Sequence, residues 1–440
     1  MVFILSSFIA LLTVAWGLAA NVDSGGGGAS LLWLIREQAL YLSGVLGIGL
    51  MSLAMVLATR PAVLERPLGG MDRIFRLHKW AGILAAVFAA LHWLIEMSDD
   101  LLESIFGEAG QVPKAHFGAI LEKLRDAGEE LGEFAIYFVL GMIVLSLWKR
   151  FPYKFWRHLH RAMPVLYLLL AFHAAVLAPQ EYWSNAVGWL MAALLAAGTA
   201  ASILALTGRI GRDRRAAGVV ASISSPAPDI TEVTCRLDAG WKGHRAGQFA
   251  FIGFDRMEGA HPFTIASADR GDQTVTFQIK ALGDFTRRLA TRIAVGQPVT
   301  VEGPYGRFLL ERHDRNARQI WIAGGIGITP FLSWLDALQA DPDSAPQVEL
   351  HYSTRNASRD PFVERLQRLC GRLPMVQLHI HDTSAGAPLT SEQLAASQPN
   401  EGRTEVWFCG PRLFGDQLAA GLTSIWGRRL RFRREAFEMR

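Results

Sequence analysis

Four histidines are spaced so that their imidazoles could bind metal inside apolar segments. His78 and His92 bracket a run that, apart from Lys79, holds only apolar or small residues, and His160 and His173 bracket a second apolar run. The fourteen residues from His78 to His92 span ~21 Å of helix and place the second imidazole ~40° from the first. Ionisable side chains within a membrane are costly and usually functional. Two such helices could hold two planar metal cofactors, because haem iron takes axial imidazoles of this kind.

The inner ligand of the second run has two candidates. His160 lies thirteen residues before His173, which puts the two ~140° apart on an ideal helix, whereas His158 would be only ~60° away. Pro164 lies between them, and a proline kink can change that angle. We expect His160 to be the ligand and keep His158 as the alternative. We expect His116, further from these runs, to be a surface residue.

The composition divides the chain into two halves. Of its 440 residues, 50% are hydrophobic, and the mean hydropathy is +0.20, which is too apolar for an ordinary soluble enzyme. Residues 1–207 hold long charge-free runs, whereas residues 208–440 are mixed. The three cysteines are scattered in the second half and indicate no disulfide framework. The net charge of +4 is modest, and we expect no nucleic-acid partner.

Six apolar runs are long enough to cross a lipid bilayer as helices. Their approximate bounds are 1–20, 39–58, 78–96, 133–149, 160–178 and 185–206. The first lacks the basic start of a signal peptide, so we expect a membrane helix there. Lys and Arg concentrate in the connections 59–79 and 149–161 and after the last run, which the positive-inside rule assigns to the cytoplasm. We expect the acidic connection 96–133 to be an outer loop, so that His92 and His173 lie near the outside.

The second half contains two patterns of strands. Short alternating runs between about 216 and 312 are typical of an antiparallel β-barrel: Val219–Ile223, Glu232–Leu237, Gln248–Phe254, Thr274–Lys280 and Pro298–Val301. Beyond them, buried strands alternate with helices, as in a Rossmann-like α/β domain: Gln319–Ala323, Val348–Tyr352, Val376–His381 and Glu405–Cys409. The predicted fold is thus a transmembrane helical bundle, a β-barrel and an α/β nucleotide-binding domain.

Two motifs in this half could bind nucleotide cofactors. In the extended segment His261-Pro262-Phe263-Thr264, the side chains of Phe263 and Thr264 should point to opposite faces. The segment Gly324-Gly-Ile-Gly-Ile-Thr-Pro330 follows a predicted strand and precedes a helix, where glycines let a phosphate approach the backbone amides. Pro330 suits the first helical turn, although it takes the last place of the G-x-G-x-x-G fingerprint.

Together these residues resemble the ferric reductase and NADPH oxidase superfamily, here as a bacterial member. In that family a six-helix haem domain is fused to a ferredoxin-reductase-like flavoprotein. The two histidine pairs match the family's haem-ligand spacing, and His261 to Thr264 match its flavin motif. The other matching segments are Lys280-Ala-Leu-Gly283-Asp-Phe285-Thr286, Glu302-Gly-Pro-Tyr-Gly306, Gly325-x-Gly327-x-x-Pro330, Cys409-Gly410-Pro411 and Glu435-Ala-Phe437.

The resemblance implies a role for each of these residues. Phe263 would flank the flavin ring and Thr264 would bond its edge, while His261 stands where soluble relatives carry an arginine for the pyrophosphate. Phe437 would cover the other flavin face and give way to nicotinamide beside Cys409, so Thr264, Cys409 and Phe437 are the expected catalytic residues. The remaining implied cofactor-binding residues are Pro262, Lys280, Gly283, Phe285, Thr286, Gly324, Gly325, Gly327, Thr329, Pro330, Gly410 and Pro411.

The end of the second α/β strand predicts the choice of nucleotide. In this layout it lies near the adenine ribose. Arg355, in His351-Tyr-Ser-Thr-Arg355, is a planar cation whose donors match a phosphate. The nearest following acid is Asp360. We therefore expect NADPH to be preferred over NADH.

The resemblance implies electron transfer from cytoplasmic NAD(P)H through FAD and two b-type haems to an extracytoplasmic acceptor. Ferric chelate and oxygen, which would give superoxide, both remain open as that acceptor. The alternative is a membrane-anchored flavoprotein reductase that serves a cytoplasmic or quinone partner. The implied domains are a six-helix haem domain at 1–208, an FAD-binding barrel at 216–312 and an NAD(P)-binding domain at 313–440. We expect a multi-pass protein of the cell membrane with no obligate protein partner and its flavin half in the cytoplasm.

Overall fold

The computed structural model describes residues 2–20, 30–107, 111, 117–148, 150–255, 258–386, 388–396 and 402–435. The chain forms two compact units. One comprises Met1–Leu68 with Arg73–Ile210, and the other comprises Gly69–Asp72 with Gly211–Arg440.

The first unit is helical, as its long apolar runs require, because a helix satisfies all its backbone polar groups within lipid. Its helices are α1 (Val2–Ala19), α2 (Leu31–Ala58), α3 (Ala62–Leu68), α4 (Met71–Phe106), α5 (Ala119–Leu147), α6 (Tyr153–His160), α7 (Met163–Leu177) and α8 (Ala186–Leu206). Six segments of the described residues are long and apolar enough to cross a membrane, with α6 and α7 contributing one of them jointly. The six predicted apolar segments are therefore confirmed as helices.

The prediction of a loop at 96–133 is wrong in large part, and its position outside the membrane stays a prediction. Helix α4 continues to Phe106, and α5 already begins at Ala119. The charged residues in these extensions alternate with apolar ones, as in Leu121-Glu-Lys-Leu-Arg-Asp126, and Leu, Glu, Lys and Arg all favour helix. The helices therefore extend beyond the charge-free runs into amphipathic ends. His116 lies outside the described residues.

The chain bends between α6 and α7 rather than continuing as one helix. Helix α6 ends at His160, Arg161 and Ala162 form a turn, and Pro164 occupies the first turn of α7. Proline is well tolerated there because the first N–H groups of a helix have no partner within it. The angle calculated for His160 on an ideal helix therefore does not apply.

Tyr167 connects three helices within this unit. Its side chain is fully buried, and its hydroxyl lies 2.8 Å from Ser52 Oγ of α2. A Cβ at Gly198 of α8 would lie 2.1 Å from the same hydroxyl. Only glycine fits there, so α8 approaches α7 closely at this point.

The second unit contains a six-stranded antiparallel sheet in the order β4-β3-β6-β1-β2-β5. Its strands are β1 (Arg215–Ala227), β2 (Ile230–Leu237), β3 (Phe249–Gly253), β4 (His261–Thr264), β5 (Thr274–Lys280) and β6 (Pro298–Tyr305). Alternate residues such as Val233, Cys235 and Leu237 are buried on one face, as period-two patterning predicts. Ile265, the residue after β4, forms an isolated bridge with Phe277 of the other edge strand, β5, and closure into a barrel stays a prediction.

A five-stranded parallel sheet follows in the order β11-β10-β7-β8-β9. Its strands are β7 (Arg318–Gly324), β8 (Val348–Thr354), β9 (Val376–Asp382), β10 (Thr404–Cys409) and β11 (Leu430–Glu435). The short α9 (Asp284–Arg287) and α10 (Leu289–Arg292) precede it, and α11 (Thr329–Leu338), α12 (Pro361–Cys370), α13 (Ser391–Ala396) and α14 (Arg412–Trp426) alternate with its strands. Separate apolar cores cover its faces, one around Trp321 and Trp334 and the other around Phe408 and Leu422. The four predicted parallel strands are confirmed, and ligands of such sheets bind at the carboxyl ends of the strands.

Candidate functional site

Helix α4 carries one histidine of each predicted pair, and each lies close to its expected partner. The ring centres of His78 and His160 are 6.1 Å apart, with the ring planes at 88°. Those of His92 and His173 are 6.2 Å apart, with the planes at 85°. The side chain of His158 is exposed on α6. Of the two inner candidates, His160 is the one whose ring faces His78.

Three of these four imidazoles are oriented by main-chain carbonyl groups. The Nδ1 partners are Ala54 O for His78 (2.8 Å), Leu40 O for His92 (3.0 Å) and Gly128 O for His173 (2.8 Å). A carbonyl oxygen only accepts hydrogen bonds, so a neutral imidazole must carry its proton on Nδ1, which leaves a lone pair on Nε2. Metal-binding histidines are usually held in this way.

His160 is held differently. Its Nδ1 is buried and has no hydrogen-bond partner in the part of the chain that the structure describes. The indole of Trp156 stacks on the ring, with centres 4.8 Å apart and planes at 17°. Trp156 Nε1 in turn donates to Ser146 Oγ at 2.8 Å. The orientation of His160 therefore depends on stacking.

The spacing of each pair suits a metal ion bound between two imidazoles. With metal–nitrogen bonds of about 2 Å, imidazoles on opposite sides of one ion have ring centres roughly 6 Å apart. The observed separations of 6.1 Å and 6.2 Å agree with this arrangement. Haem iron with two axial histidines uses the same donors, so the residues present fit two haems.

Glycines leave room beside the outer pair. A Cβ at Gly132 of α5 would lie 2.4 Å from Nδ1 of His173, and a Cβ at Gly44 of α2 would lie 3.2 Å from Cε1 of His92. Sequence reasoning missed Gly132 and the carbonyl of Gly128 because both fall in the stretch interpreted as a loop. The spacing Gly128-x-x-x-Gly132 was the available signal, since it is typical of close helix packing in membranes.

The predicted flavin motif forms β4, which pairs with β3 so that Phe263 lies opposite Ala250. Phe263 is half-buried and Thr264 is buried. The ring of His261 stacks on that of Phe285, with centres 4.5 Å apart and planes at 7°. The structure thus brings together two predicted flavin segments that lie far apart in sequence.

The second of these segments is a tight turn held by its own side chains. Thr286 Oγ1 accepts hydrogen bonds from the main-chain N–H groups of Leu282 (3.0 Å) and Gly283 (2.9 Å). Lys280, at the end of β5, pairs with Asp229 at 3.4 Å. Thr286 thus caps the turn locally, and roles of Lys280, Gly283 and Thr286 toward a flavin stay predictions.

The glycine loop joins β7 to α11 at the carboxyl edge of the parallel sheet. Gly325 has a φ of +55°, a conformation that favours glycine. A Cβ at Gly327 would lie 2.2 Å from Cys409 O, and one at Gly324 would lie 2.8 Å from Pro411 Cδ. The loop therefore contacts the Cys409-Gly410-Pro411 turn directly, and Thr329 and Pro330 begin α11. Such an edge is a common site for nucleotide phosphates.

Cys409 lies at the end of β10 with 3% of its surface exposed. Its neighbour across the sheet is Glu435, the last residue of β11. Burial, reinforced by the charge of Glu435, raises the pKa of the Cys409 thiol well above its ordinary value. The thiol is therefore protonated at neutral pH and is no nucleophile. Phe437 lies outside the described residues.

Arg355 follows β8 directly, and the pairing of Ser353 with Gly324 places this end of β8 beside the glycine loop. The Arg355 side chain is exposed. The carboxylate of Asp360 accepts from the Tyr352 hydroxyl at 2.8 Å and from Phe362 N–H at 2.9 Å. It caps α12, so the nearest acid is committed to structure.

Comparison with known families matches both units. Residues 43–171 match the ferric reductase like transmembrane component, and residues 218–308 match an FAD-binding domain. These matches define a membrane-embedded oxidoreductase with a flavin domain. Together the two domains match the ferric reductase and NADPH oxidase-like superfamily.

Three known proteins show what this chain is similar to. The carnitine monooxygenase reductase subunit of Escherichia coli is 36% identical over 130 residues, covering 29% of this chain and 36% of the relative. The anthranilate 1,2-dioxygenase electron transfer component of Acinetobacter baylyi is 25% identical over 173 residues, covering 38% and 50%. The chain thus spans half or less of these two curated relatives. A flavohemoglobin from Malassezia yamatoensis, solved with FAD and heme, shares the fold at a TM-score of 0.50 and 15% identity, covering 93% of this chain and 100% of that one.

Proposed function

We propose that this protein is an NAD(P)H-dependent transmembrane oxidoreductase that reduces an acceptor on the far side of the membrane. The observation that carries the proposal is the pair of bis-histidine sites on α4, 6.1 Å and 6.2 Å between ring centres, in a chain that also matches an FAD-binding domain. A protein that used its helices only as an anchor would need neither site. The two sites are separated by ~21 Å of helix, which suits two electron carriers at different depths.

Within this function the chain is divided into the haem domain at 1–208, the flavin barrel at 216–312 and the nucleotide domain at 313–440. When bound, FAD supplies the conversion of a hydride into single electrons, and haem carries single electrons. His78 and His160 would hold one haem, and His92 and His173 the other. Because two imidazoles of the protein would hold each haem, the acceptor would not be an iron ligand.

In the flavin half, β4 would present Phe263 to the flavin ring and Thr264 to its edge. The glycine loop and the Cys409-Gly410-Pro411 turn would bind the nicotinamide nucleotide. Because the thiol of Cys409 is protonated, its part would be packing against the nicotinamide. The role of Phe437, which lies outside the described residues, stays a prediction.

The direction of transfer follows from charge. The connections rich in Lys and Arg lie on one side in a six-span arrangement, and the positive-inside rule makes that side cytoplasmic. The flavin half, which follows the last span, would then be cytoplasmic as well. His92 and His173 would be the outer pair, and a ferric chelate or oxygen would be reduced outside.

A second function is favoured by the relatives. One is named as the reductase subunit of a monooxygenase and another as the electron transfer component of a dioxygenase. A membrane-anchored reductase with a cytoplasmic or quinone partner is therefore the competing proposal. It requires no electron transfer to the outer histidine pair.

The deciding experiment uses the purified protein in sealed liposomes, with NADPH outside and acceptor inside. Only chains with the flavin half outward meet NADPH. Reduction of ferric chelate inside the liposomes, or formation of superoxide there, therefore reports electron transfer across the membrane. We expect internal reduction in the wild type and its loss in His92→Ala and His173→Ala, with flavin reduction by NADPH unchanged. If acceptor is reduced only when it is supplied outside the liposomes, and equally in all three proteins, the competing function is supported.

A further inference from the structure

Three histidines and a glutamate lie together on one face of the parallel sheet, away from the residues assigned above. Glu349 and His351 are on β8, and His379 and His381 are on β9, with His351 paired in register with His379. Residues two apart on a strand share a face, so all four side chains project from the same surface. One ligand atom from each of Glu349, His351 and His379 lies within 4.8 Å of the others.

The donor geometry matches a small metal ion. Oε2 of Glu349 is 3.4 Å from Nε2 of His351. Two ligands bound tetrahedrally to zinc at about 2.0–2.2 Å are separated by roughly that distance. The His351 ring is stacked on His379, with centres 4.7 Å apart, so a modest rotation of the exposed His379 side chain would bring its nitrogen to the same point.

The surrounding contacts orient the ligands. Arg318 donates to Oε1 of Glu349 at 2.7 Å, which leaves Oε2 directed at His351. Nδ1 of His351 is 3.0 Å from Nε2 of His381. With the proton on Nδ1 of His351, that nitrogen donates to His381 and Nε2 presents a lone pair to the carboxylate. Two electron-rich atoms facing each other at a buried position are stabilised by a cation between them.

We infer that Glu349, His351 and His379 form a binding site for a divalent transition metal ion, with zinc as the best match, and that His381 positions His351. Two imidazoles and one carboxylate are a common zinc ligand set that leaves one position for water. His379 is exposed on β9, an edge strand of the sheet, so an ion can reach the site from solvent.

The test is zinc binding by the full-length protein, purified without a histidine tag and stripped with chelator. Zinc is titrated by calorimetry, and the metal retained after desalting is measured by mass spectrometry. We expect about one zinc per chain, at least tenfold weaker binding in His379→Asn, and wild-type binding in the matched control His313→Asn. Zinc should raise the thermal unfolding temperature of the wild type and of the control, but not of His379→Asn.

Glu349→Gln should weaken binding as His379→Asn does. If that variant fails to fold because Arg318 loses its partner, the exposed His379 variant still decides the question. X-ray absorption at the zinc edge should show nitrogen and oxygen ligands with an imidazole signature. Equal affinity in His379→Asn and wild type, absence of bound zinc, or sulfur ligation would overturn the site and leave the cluster a hydrogen-bonded chain.

Discussion

Gly132 of α5 lies directly against the imidazole of His173, since a Cβ at this glycine would lie 2.4 Å from both Cε1 and Nδ1 of the ring. One turn earlier on the same helix, Gly128 O accepts the Nδ1 hydrogen bond at 2.8 Å. Helix α5 thus fixes the position of His173 through the backbone carbonyl of one glycine and the space left by another. The outer histidine pair therefore depends on a helix that supplies no ligand.

The first prediction concerns this contact. In Gly132→Val the side chain needs the volume of the His173 ring, so the ring must turn away from His92. Because the outer pair is lost, we expect haem content to fall from about two per chain to about one. The pyridine haemochrome assay measures this content. Gly141→Val on the same helix is the control, because nothing lies within 4 Å of a Cβ there. Full haem content in Gly132→Val would argue against His173 as a ligand.

The second prediction separates the two inner candidates. His160→Ala should lose the inner haem, because its ring centre is 6.1 Å from that of His78. His158→Ala should keep both haems, because its side chain is exposed. Haem content and the low-temperature absorption spectrum of each variant give the answer. The reverse pattern, with loss in His158→Ala only, would reassign the ligand.

Much of this site could be predicted from the sequence because its signals are local. A histidine spacing within an apolar run and a glycine turn between strand and helix both follow from chain geometry. The pairing of His160 with His78 could not be derived from an ideal helix, because the chain turns at Arg161. The turn separates α6 from α7, whereas a periodicity calculation assumes one continuous helix.

Other contacts are beyond local reading because they join distant segments. The stack of His261 on Phe285 and the packing of Gly327 on Cys409 O depend on how strands are ordered in their sheets. Sheet order is decided by tertiary packing rather than by the pattern within one strand. The cluster of Glu349, His351 and His379 could not be predicted for the same reason. Its residues come from two strands, β8 and β9, and they meet only because of the register in which these strands pair.

The third prediction concerns the three cysteines, which are all buried. Burial raises the pKa of Cys235 and of Cys370 to about 12, and the Cys409 thiol is also shifted upward. Because the reactive species is the thiolate, we expect almost no iodoacetamide labelling of the native protein at pH 8. Unfolding in detergent and urea should expose all three thiols, as peptide mass spectrometry would show.

The same shifts predict how stability changes with pH. A raised pKa means that the folded state holds its proton more tightly than the unfolded state, so the stabilisation is full below the ordinary thiol pKa. It should be lost as the pH rises from about 9 toward 12. Rapid labelling of Cys409 in the native protein at pH 8 would contradict both expectations.

The fourth prediction concerns the nucleotide. Arg355 is an exposed cation directly after β8, two residues beyond Ser353, which pairs with Gly324. The nearest following acid, Asp360, is occupied as the cap of α12. A charge-assisted contact with the 2′-phosphate of about 1.5–3 kcal/mol corresponds to roughly ten- to a hundredfold discrimination. We therefore expect kcat/KM for NADPH to exceed that for NADH by this factor.

Replacing Arg355 by Ala should bring the two kcat/KM values together by lowering the value for NADPH, while the value for NADH changes little. The matched comparison is Arg359→Ala, an exposed arginine whose main-chain N–H bonds Asn356 Oδ1 at 3.2 Å. This substitution should leave the ratio of the two kcat/KM values as in the wild type, because Arg359 lies one turn further from the end of β8. Equal values for both nucleotides in the wild type would refute the preference. A ratio that falls in Arg359→Ala and persists in Arg355→Ala would place the phosphate contact on Arg359.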